Sequence, residues 1–203
     1  MNSEYQSDKK LFGLNKTIPA EYEKQILTAL SYFPELSNTK ITFLLEKGNS
    51  GVIETRPEWV SVFRNSRNRA YIVFIGDSSS RYTPQFMFRN SPVNGQVGII
   101  GHELSHILYF SLRNTFGLLK TGVAHVSRRY MDNFENKTDS VCIERGLGYQ
   151  LIDWNIYLRK AFGMKDPENG SDPFFTDTTR ERYMSPARIR QVMKKSKVYN
   201  NIK

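Results

Sequence analysis

The chain has 203 residues, a formal net charge of +9 and a hydrophobic fraction of 39%, which together indicate one globular domain and exclude an intrinsically disordered chain. No apolar run approaches the roughly 20 residues that a membrane-spanning helix requires, so no membrane span is predicted. The single cysteine, Cys142, excludes an internal disulfide and a cysteine-rich zinc ribbon. Lys and Arg are spread along the chain without a nucleic-acid-binding motif, which favours a solvated basic surface over a nucleic-acid partner.

The N-terminal residues carry no apolar core behind a basic segment, so the sequence contains no recognisable signal peptide. A lone cysteine suits a reducing compartment. We therefore expect a cytoplasmic protein if the chain is full length, although a leader that had been removed would leave the same sequence. The oligomeric state is not predicted.

The first half of the chain predicts a helix, a small sheet and a second helix. Residues 1–15 are polar and expected to be flexible. Apolar residues at helical spacing predict a helix over 17–33. Runs rich in β-branched and aromatic residues predict strands at 40–46, 52–55 and 70–75, with 82–88 as a further strand or an irregular cover. A helix with an apolar back is expected at 94–112.

The second half is predicted to be mostly helical. Its apolar spacing indicates helices at 115–131, 132–145 and 149–162, a long loop at 163–182, and a last helix that begins at Ser185-Pro186. The predicted fold class is α+β, with a small mixed sheet of three to four strands packed on the 94–112 helix. We expect one domain over 16–203, with a sheet-containing half at 16–112 and a helical half at 113–203.

A short motif in the 94–112 helix carries the clearest chemical signal. Residues 101–106 read Gly-His-Glu-Leu-Ser-His, which contains the pattern His-Glu-x-x-His. Residues four apart lie on the same helix face, so His102 and His106 could bind one Zn²⁺ at about 2.0–2.1 Å. Glu103 projects roughly 100° further round the helix, where it could act as a general base on a water at the metal. The alternative interpretation is a surface helix with two solvated histidines.

A catalytic zinc site usually has three protein ligands, so a third one is needed. Glu135 and Asp139 lie four apart on a predicted helix and point the same way; Glu135 could coordinate zinc while Asp139 holds a ligand imidazole. His125, Asp139 and Cys142 remain alternative ligands. The competing interpretations are a solvated acid at Glu135, an ion-pair partner at Asp139 and a buried core residue at Cys142.

These two segments, 101–106 and 135–139, resemble the gluzincin metallopeptidases, the thermolysin-like group. The resemblance covers roughly residues 39–162 and implies a zincin-like catalytic domain with one zinc ion per chain. It implies that zinc is bound by His102, His106 and Glu135, that Glu103 is the general base and that Asp139 supports a histidine ligand.

The same resemblance implies two further features of the site. An edge strand of the sheet should run antiparallel to the bound peptide, and the predicted candidate comprises Tyr71, Ile72, Val73 and Phe74. A His or Tyr should donate a hydrogen bond to the transition state, with His125, Tyr130 and Tyr183 as candidates.

The expected activity is that of a zinc-dependent hydrolase, a metalloprotease that cleaves internal peptide bonds of a peptide or protein substrate. The alternative from another class is a catalytically inactive zincin-fold protein that acts in binding or sensing, because a fold alone does not determine function. A nucleic-acid-associated protein is the third hypothesis, which rests on the net charge alone.

Overall fold

A computed structural model describes residues 10–48, 53–79, 84–117, 127–169 and 182–200. Four strands form one mixed sheet: β1 (Lys16–Thr17), β2 (Lys40–Gly48), β3 (Ile53–Pro57) and β4 (Ala70–Ser79). Their order is β1-β2-β4-β3, with β1, β2 and β4 parallel and β3 antiparallel to β4. With its flanking helices this sheet makes an α+β fold, as predicted.

The sheet is centred on β4, which has a hydrogen-bonded neighbour on each side. Val73 faces Phe43 of β2 and Thr55 of β3. Tyr71, Val73, Phe74 and Ile75 are all buried. Both faces of β4 are therefore covered, which is why its sequence is a continuous apolar run.

This arrangement corrects the expected location of the edge strand. Residues Tyr71–Phe74 lie in the interior strand β4, and the edges of the described sheet are β1 and β3. The side chains of β3 alternate between half-buried and exposed, with Glu54 and Arg56 exposed. Such alternation and charge are typical of an edge strand, whereas the apolar run of β4 is typical of an interior one.

The α-helices whose bounds lie within the described residues are α1 (Glu23–Ser31), α2 (Val93–Ser111), α3 (Arg128–Cys142), α4 (Gly148–Ala161), α5 (Pro186–Lys195) and α6 (Lys197–Asn200). The central helix α2 packs against α1, α3, α4 and β3. It is buried nearly all round from Gly95 to Ile107, so its polar triplet does not face bulk solvent but the interior between α2 and α3.

A glycine allows the backbones of α2 and α4 to touch. A Cβ at Gly98 would overlap the carbonyl of Gln150 and would lie 2.6 Å from the backbone nitrogen of Leu151. The element that approaches Gly98 is therefore helix α4.

A π-helical segment joins α3 to α4 without a loop. It spans Ile143–Leu147, and Gly146 adopts φ 98°, a conformation that glycine tolerates best. The hydroxyl of Tyr199 accepts a hydrogen bond from the Gly148 amide at 2.6 Å and donates one to the Ile143 carbonyl at 3.0 Å. The C-terminal helices therefore hold this junction.

Several element boundaries differ from the predictions. Helix α3 runs through the break predicted between 131 and 132. Residues Pro84–Phe86 and Phe88–Asn90 form two short 3₁₀ turns, which match the irregular cover given as the alternative to a strand at 82–88. The last helix is confirmed, and the hydroxyl of Ser185 accepts a hydrogen bond from the Arg188 amide at its start. Residues 1–9, 118–126 and 170–181, which include parts of the predicted N-terminus, 115–131 helix and long loop, lie outside the described residues.

Candidate metal centre

The two motif histidines point into the space between α2 and α3. Both lie on α2, one turn apart, and both are buried. Their Nε2 atoms are 3.1 Å apart. The four-residue spacing thus places two imidazole nitrogens beside one point in space, as the motif predicts.

Glu135 on α3 completes this group. Its Oε2 lies 3.1 Å from Nε2 of His102 and 3.3 Å from Nε2 of His106. The three side chains form a buried cluster that could hold a metal ion. The structure therefore brings together the three residues that were expected to bind zinc.

The outer nitrogen of His102 is bonded to Asp139. His102 Nδ1 lies 2.8 Å from Asp139 Oδ1, and Asp139 Oδ2 accepts a hydrogen bond from the Met184 amide at 2.7 Å. Because the carboxylate can only accept here, Nδ1 carries the proton, and when the ring is neutral the lone pair that can bind a metal ion is on Nε2.

His106 is oriented by a neighbour that the sequence did not predict. Its Nδ1 lies 3.3 Å from Oγ1 of Thr138, which donates to the carbonyl of Phe134 at 3.0 Å. The hydroxyl therefore accepts from His106, whose Nε2 is free to accept. The sequence feature that could have predicted this role is the position of Thr138, three residues after Glu135 and thus on the same helix face.

The charge states of His102 and Glu135 depend on each other. Burial opposes a positive charge on His102, but its hydrogen bonds to Asp139 and Glu135 outweigh burial and raise its pKa well above 6.5. Burial likewise opposes ionisation of Glu135, yet the hydrogen bonds from His102 and His106 lower the pKa of that carboxyl below its usual range. Without a metal, an ionised Glu135 beside a protonated His102 is therefore favoured.

The cluster opens into a cavity of about 480 Å³. Glu103 lines this cavity, and among the described residues its carboxylate has no hydrogen-bond partner. Residues 53–55 of β3 form part of the wall. Much of the remaining lining is apolar and includes Phe86, Ile99, Leu151, Trp154, Leu158 and Phe162.

Tyr183 also lines the cavity, with its ring 5.8 Å from that of His102. Although the residue is 43% exposed, desolvation of the hydroxyl, and then the carboxylates of Glu135, Glu103 and Asp139, raise its pKa above the usual value. The tyrosine therefore keeps its proton at neutral and moderately alkaline pH and can act as a donor.

The other candidate residues lie elsewhere. Tyr130 packs against Phe134 and is not among the residues that line the cavity. Cys142 is buried, its Sγ is directed to the Gly98 carbonyl at 3.7 Å, and burial raises the pKa of its thiol. The expected core position of this cysteine is confirmed. His125 lies outside the described residues.

No protein-family model matches this chain, and no curated protein or solved structure matches it. The chemistry of the site is therefore argued from its donors. Ligands about 2.0–2.1 Å from a tetrahedral zinc ion are separated by about 3.3 Å, and the three donor atoms here are separated by 3.1–3.3 Å. Two imidazoles and one carboxylate fit a catalytic zinc site.

Among the described residues, the helices are too short or too polar to cross a lipid bilayer. The predicted lack of a membrane span therefore agrees with the part of the chain that the structure describes.

Proposed function

We propose that this protein is a zinc-dependent metallopeptidase of the gluzincin type. The observation that carries the proposal is the convergence of three buried ligand atoms and a separate carboxylate, Glu103, on one cavity with a strand at its wall. A catalytic zinc site needs both parts, because a general base has to stay out of the metal coordination.

His102, His106 and Glu135 would hold the zinc ion, which when bound would activate a water molecule and polarise the scissile carbonyl. The hydrogen bonds from the outer nitrogens to Asp139 and Thr138 favour this role, because they direct both Nε2 lone pairs to one point.

Glu103 is suited to proton transfer. It follows the first ligand directly on α2 and lines the cavity, and its carboxylate is not engaged by another described residue. It would take a proton from the attacking water and deliver it to the leaving amine. Tyr183, which keeps its proton, would donate a hydrogen bond to the oxygen that becomes negative in the transition state.

The substrate would lie along β3 rather than along β4. Strand β3 is hydrogen-bonded to β4 on one side, and within the described sheet its other side has no partner strand. An extended peptide can add to such an edge through main-chain hydrogen bonds. The apolar part of the cavity would then accept a large hydrophobic side chain of the peptide.

The test is Glu103→Gln, measured for zinc content and for cleavage of a peptide library. We expect one zinc ion per chain, as in the parent protein, with hydrolysis reduced by about 10²–10⁴-fold because the general base is lost. Glu21→Gln is the matched control, since Glu21 is exposed in the 3₁₀ turn Ala20–Tyr22 and is not among the residues that line the cavity; it should retain most of kcat.

Three results would contradict the proposal in different ways. Full activity of Glu103→Gln would remove the general base assignment. A parent protein that takes up no zinc would remove the metal site. Zinc binding without cleavage of any library peptide would leave a catalytically inactive binding or sensor protein with this metal site.

A further inference from the structure

A patch of large apolar side chains is exposed at the C-terminal end of α2. Trp59, Val60 and Phe63 lie in and just after a 3₁₀ turn, and Leu112 and Phe116 follow the end of α2. Each of the five is 73–80% exposed. Single exposed apolar residues are common, but a concentration of this kind marks an interaction surface. We call these five residues the apolar patch.

Hydrogen bonds tie the two halves of the apolar patch together. The hydroxyl of Thr115 donates to the carbonyl of Val62 at 3.1 Å. The buried guanidinium of Arg69 donates to the Phe110 carbonyl at 3.4 Å, to the Arg113 carbonyl and to the Thr115 hydroxyl at 3.2 Å. The turn that carries Trp59 and the helix end that carries Leu112 therefore form one surface.

Beyond Glu58, which directly precedes Trp59, the two chain segments that carry the apolar patch contain basic residues and no acidic ones. No Asp or Glu occurs between Glu58 and Asp77, or between Glu103 and Asp132. These two segments contain six arginines and one lysine: Arg64, Arg67, Arg69, Arg113, Lys120, Arg128 and Arg129. Arg64 and Arg113 are exposed next to the patch residues. The surface thus combines exposed apolar side chains with positively charged ones.

We propose that this surface binds to a lipid bilayer that contains anionic lipids. Trp59, Phe63 and Phe116 would enter the interfacial region, where aromatic side chains are favoured, while Arg64 and Arg113 pair with acidic head groups. The surface does not depend on zinc or on the proposed peptidase activity.

Two other occupants fit the observations less well. A second copy of the chain would bring two positive surfaces together, which like-charge repulsion disfavours. Single-stranded nucleic acid stacks its bases on aromatic rings, but Val60 and Leu112 present aliphatic tips. A bilayer accepts both kinds of side chain and carries the opposite charge.

The orientation follows from the length of α2. His102 and Leu112 are ten residues apart on and at the end of this helix, which corresponds to about 15 Å along its axis. Bound through the apolar patch, the protein would hold its cavity close to the lipid surface but outside it.

The test uses the intrinsic fluorescence of the full chain. The protein has two tryptophans, Trp59 at 76% exposure and Trp154 at 4%. On addition of phosphatidylcholine vesicles with 30% phosphatidylglycerol, emission should shift to shorter wavelength and be quenched by brominated lipid. Trp59→Phe should remove the shift, because Trp154 is already buried.

Binding itself is measured by co-sedimentation with the same vesicles. Trp59→Ser combined with Phe63→Ser should weaken partitioning about tenfold or more, because two of the inserted side chains are lost. Tyr149→Ser, which removes a 62% exposed aromatic residue from α4, should leave partitioning unchanged. Both variants change surface residues, and circular dichroism checks that they fold. High salt should weaken binding several-fold.

Several outcomes would overturn the proposal. One is equal binding to vesicles with and without phosphatidylglycerol, and another is no binding to either. Binding that the serine variant retains in full would show attraction through charge alone. A dimer that the serine variant abolishes, observed by ultracentrifugation without vesicle binding, would assign the surface to a second copy. Binding to single-stranded oligonucleotide in place of vesicles would assign it to nucleic acid.

Discussion

Asp139 is the residue on which the geometry of the metal centre most depends. One of its oxygens accepts from His102 and the other from the Met184 amide. It is almost fully buried, so a lost partner would not be replaced by bulk water. A change at this single carboxylate affects both the orientation and the basicity of a ligand.

We expect Asp139→Asn to weaken zinc affinity about 10–100-fold, because an amide cannot accept both hydrogen bonds and carries no charge. Competition with a chromophoric chelator measures this affinity. Asp153→Asn is the control: Asp153 lies on α4, and its carboxylate accepts only from Asn94 among the hydrogen bonds observed. Equal zinc affinity in the two variants would contradict the role of Asp139.

Zinc binding should also release a proton near neutral pH. The hydrogen bonds of His102 to Asp139 and Glu135 raise its pKa above 6.5 despite its burial, which favours a protonated ring in the metal-free protein. Zinc has to displace that proton, and its affinity should therefore rise with pH until the raised pKa is passed. Calorimetric titration in buffers of different ionisation enthalpy measures the release. Identical heats in those buffers at pH 7 would contradict it.

Much of the site could be predicted from residue types and spacing alone. The four-residue separations, His102 to His106 and Glu135 to Asp139, require only helical geometry to place side chains on one face. The roles of Thr138 and Met184 could not be predicted in this way. Thr138 is an ordinary helix residue until His106 is placed beside it, and Met184 contributes a backbone amide, which every residue except proline has.

At the scale of elements, the position of α2 depends on its close contact with α4. Gly98 is the closest point, since a Cβ there would meet the backbone of Gln150 and Leu151. Backbone atoms cannot move aside as a flexible side chain can, so the distance between α2 and α4 would have to increase. His102 lies one turn and His106 two turns further along α2. An increased distance between the helices would therefore displace residues of the candidate metal centre.

We expect Gly98→Ala to lower the free energy of unfolding by about 2 kcal/mol or more, because overpacking outweighs the gain in helix propensity. Gly95→Ala is the matched control on the same helix. Its Cβ would lie 3.1 Å from the Trp154 backbone nitrogen, so we expect a change within about 1 kcal/mol. Urea unfolding of both variants measures the difference, and a neutral Gly98→Ala would contradict the contact.

Which residues form a strand or a helix was easier to predict than which elements pack beside one another. The apolar run 70–75 predicts a strand, and it forms most of β4. The prediction did not include the interior position of this strand in the sheet. Strand β1 has two residues and no periodicity from which to predict it. The π segment at Ile143–Leu147 depends on tertiary contacts, notably that with Tyr199, which local spacing does not reveal.

For the whole molecule, composition and element order were sufficient to predict an α+β fold, and the strand order was not predictable from them. Parallel pairing of β2 with β4 brings together residues about 30 positions apart, with β3 between them in the chain and outside them in the sheet. The net positive charge was visible in the sequence and was interpreted as a solvated basic surface. Its possible role depends on the apolar patch that the fold places beside Arg64 and Arg113.

The bond between Asp139 and Met184 has a consequence for synthesis of the protein. Its two residues are separated by 45 positions in the chain. A nascent chain that has emerged from the ribosome only as far as α4 already contains His102, His106 and Glu135, yet it lacks the amide that fixes Asp139. If the centre binds zinc as proposed, we expect capture with full affinity to come late in biogenesis, after the segment around residue 184 has been released and folded back onto α3.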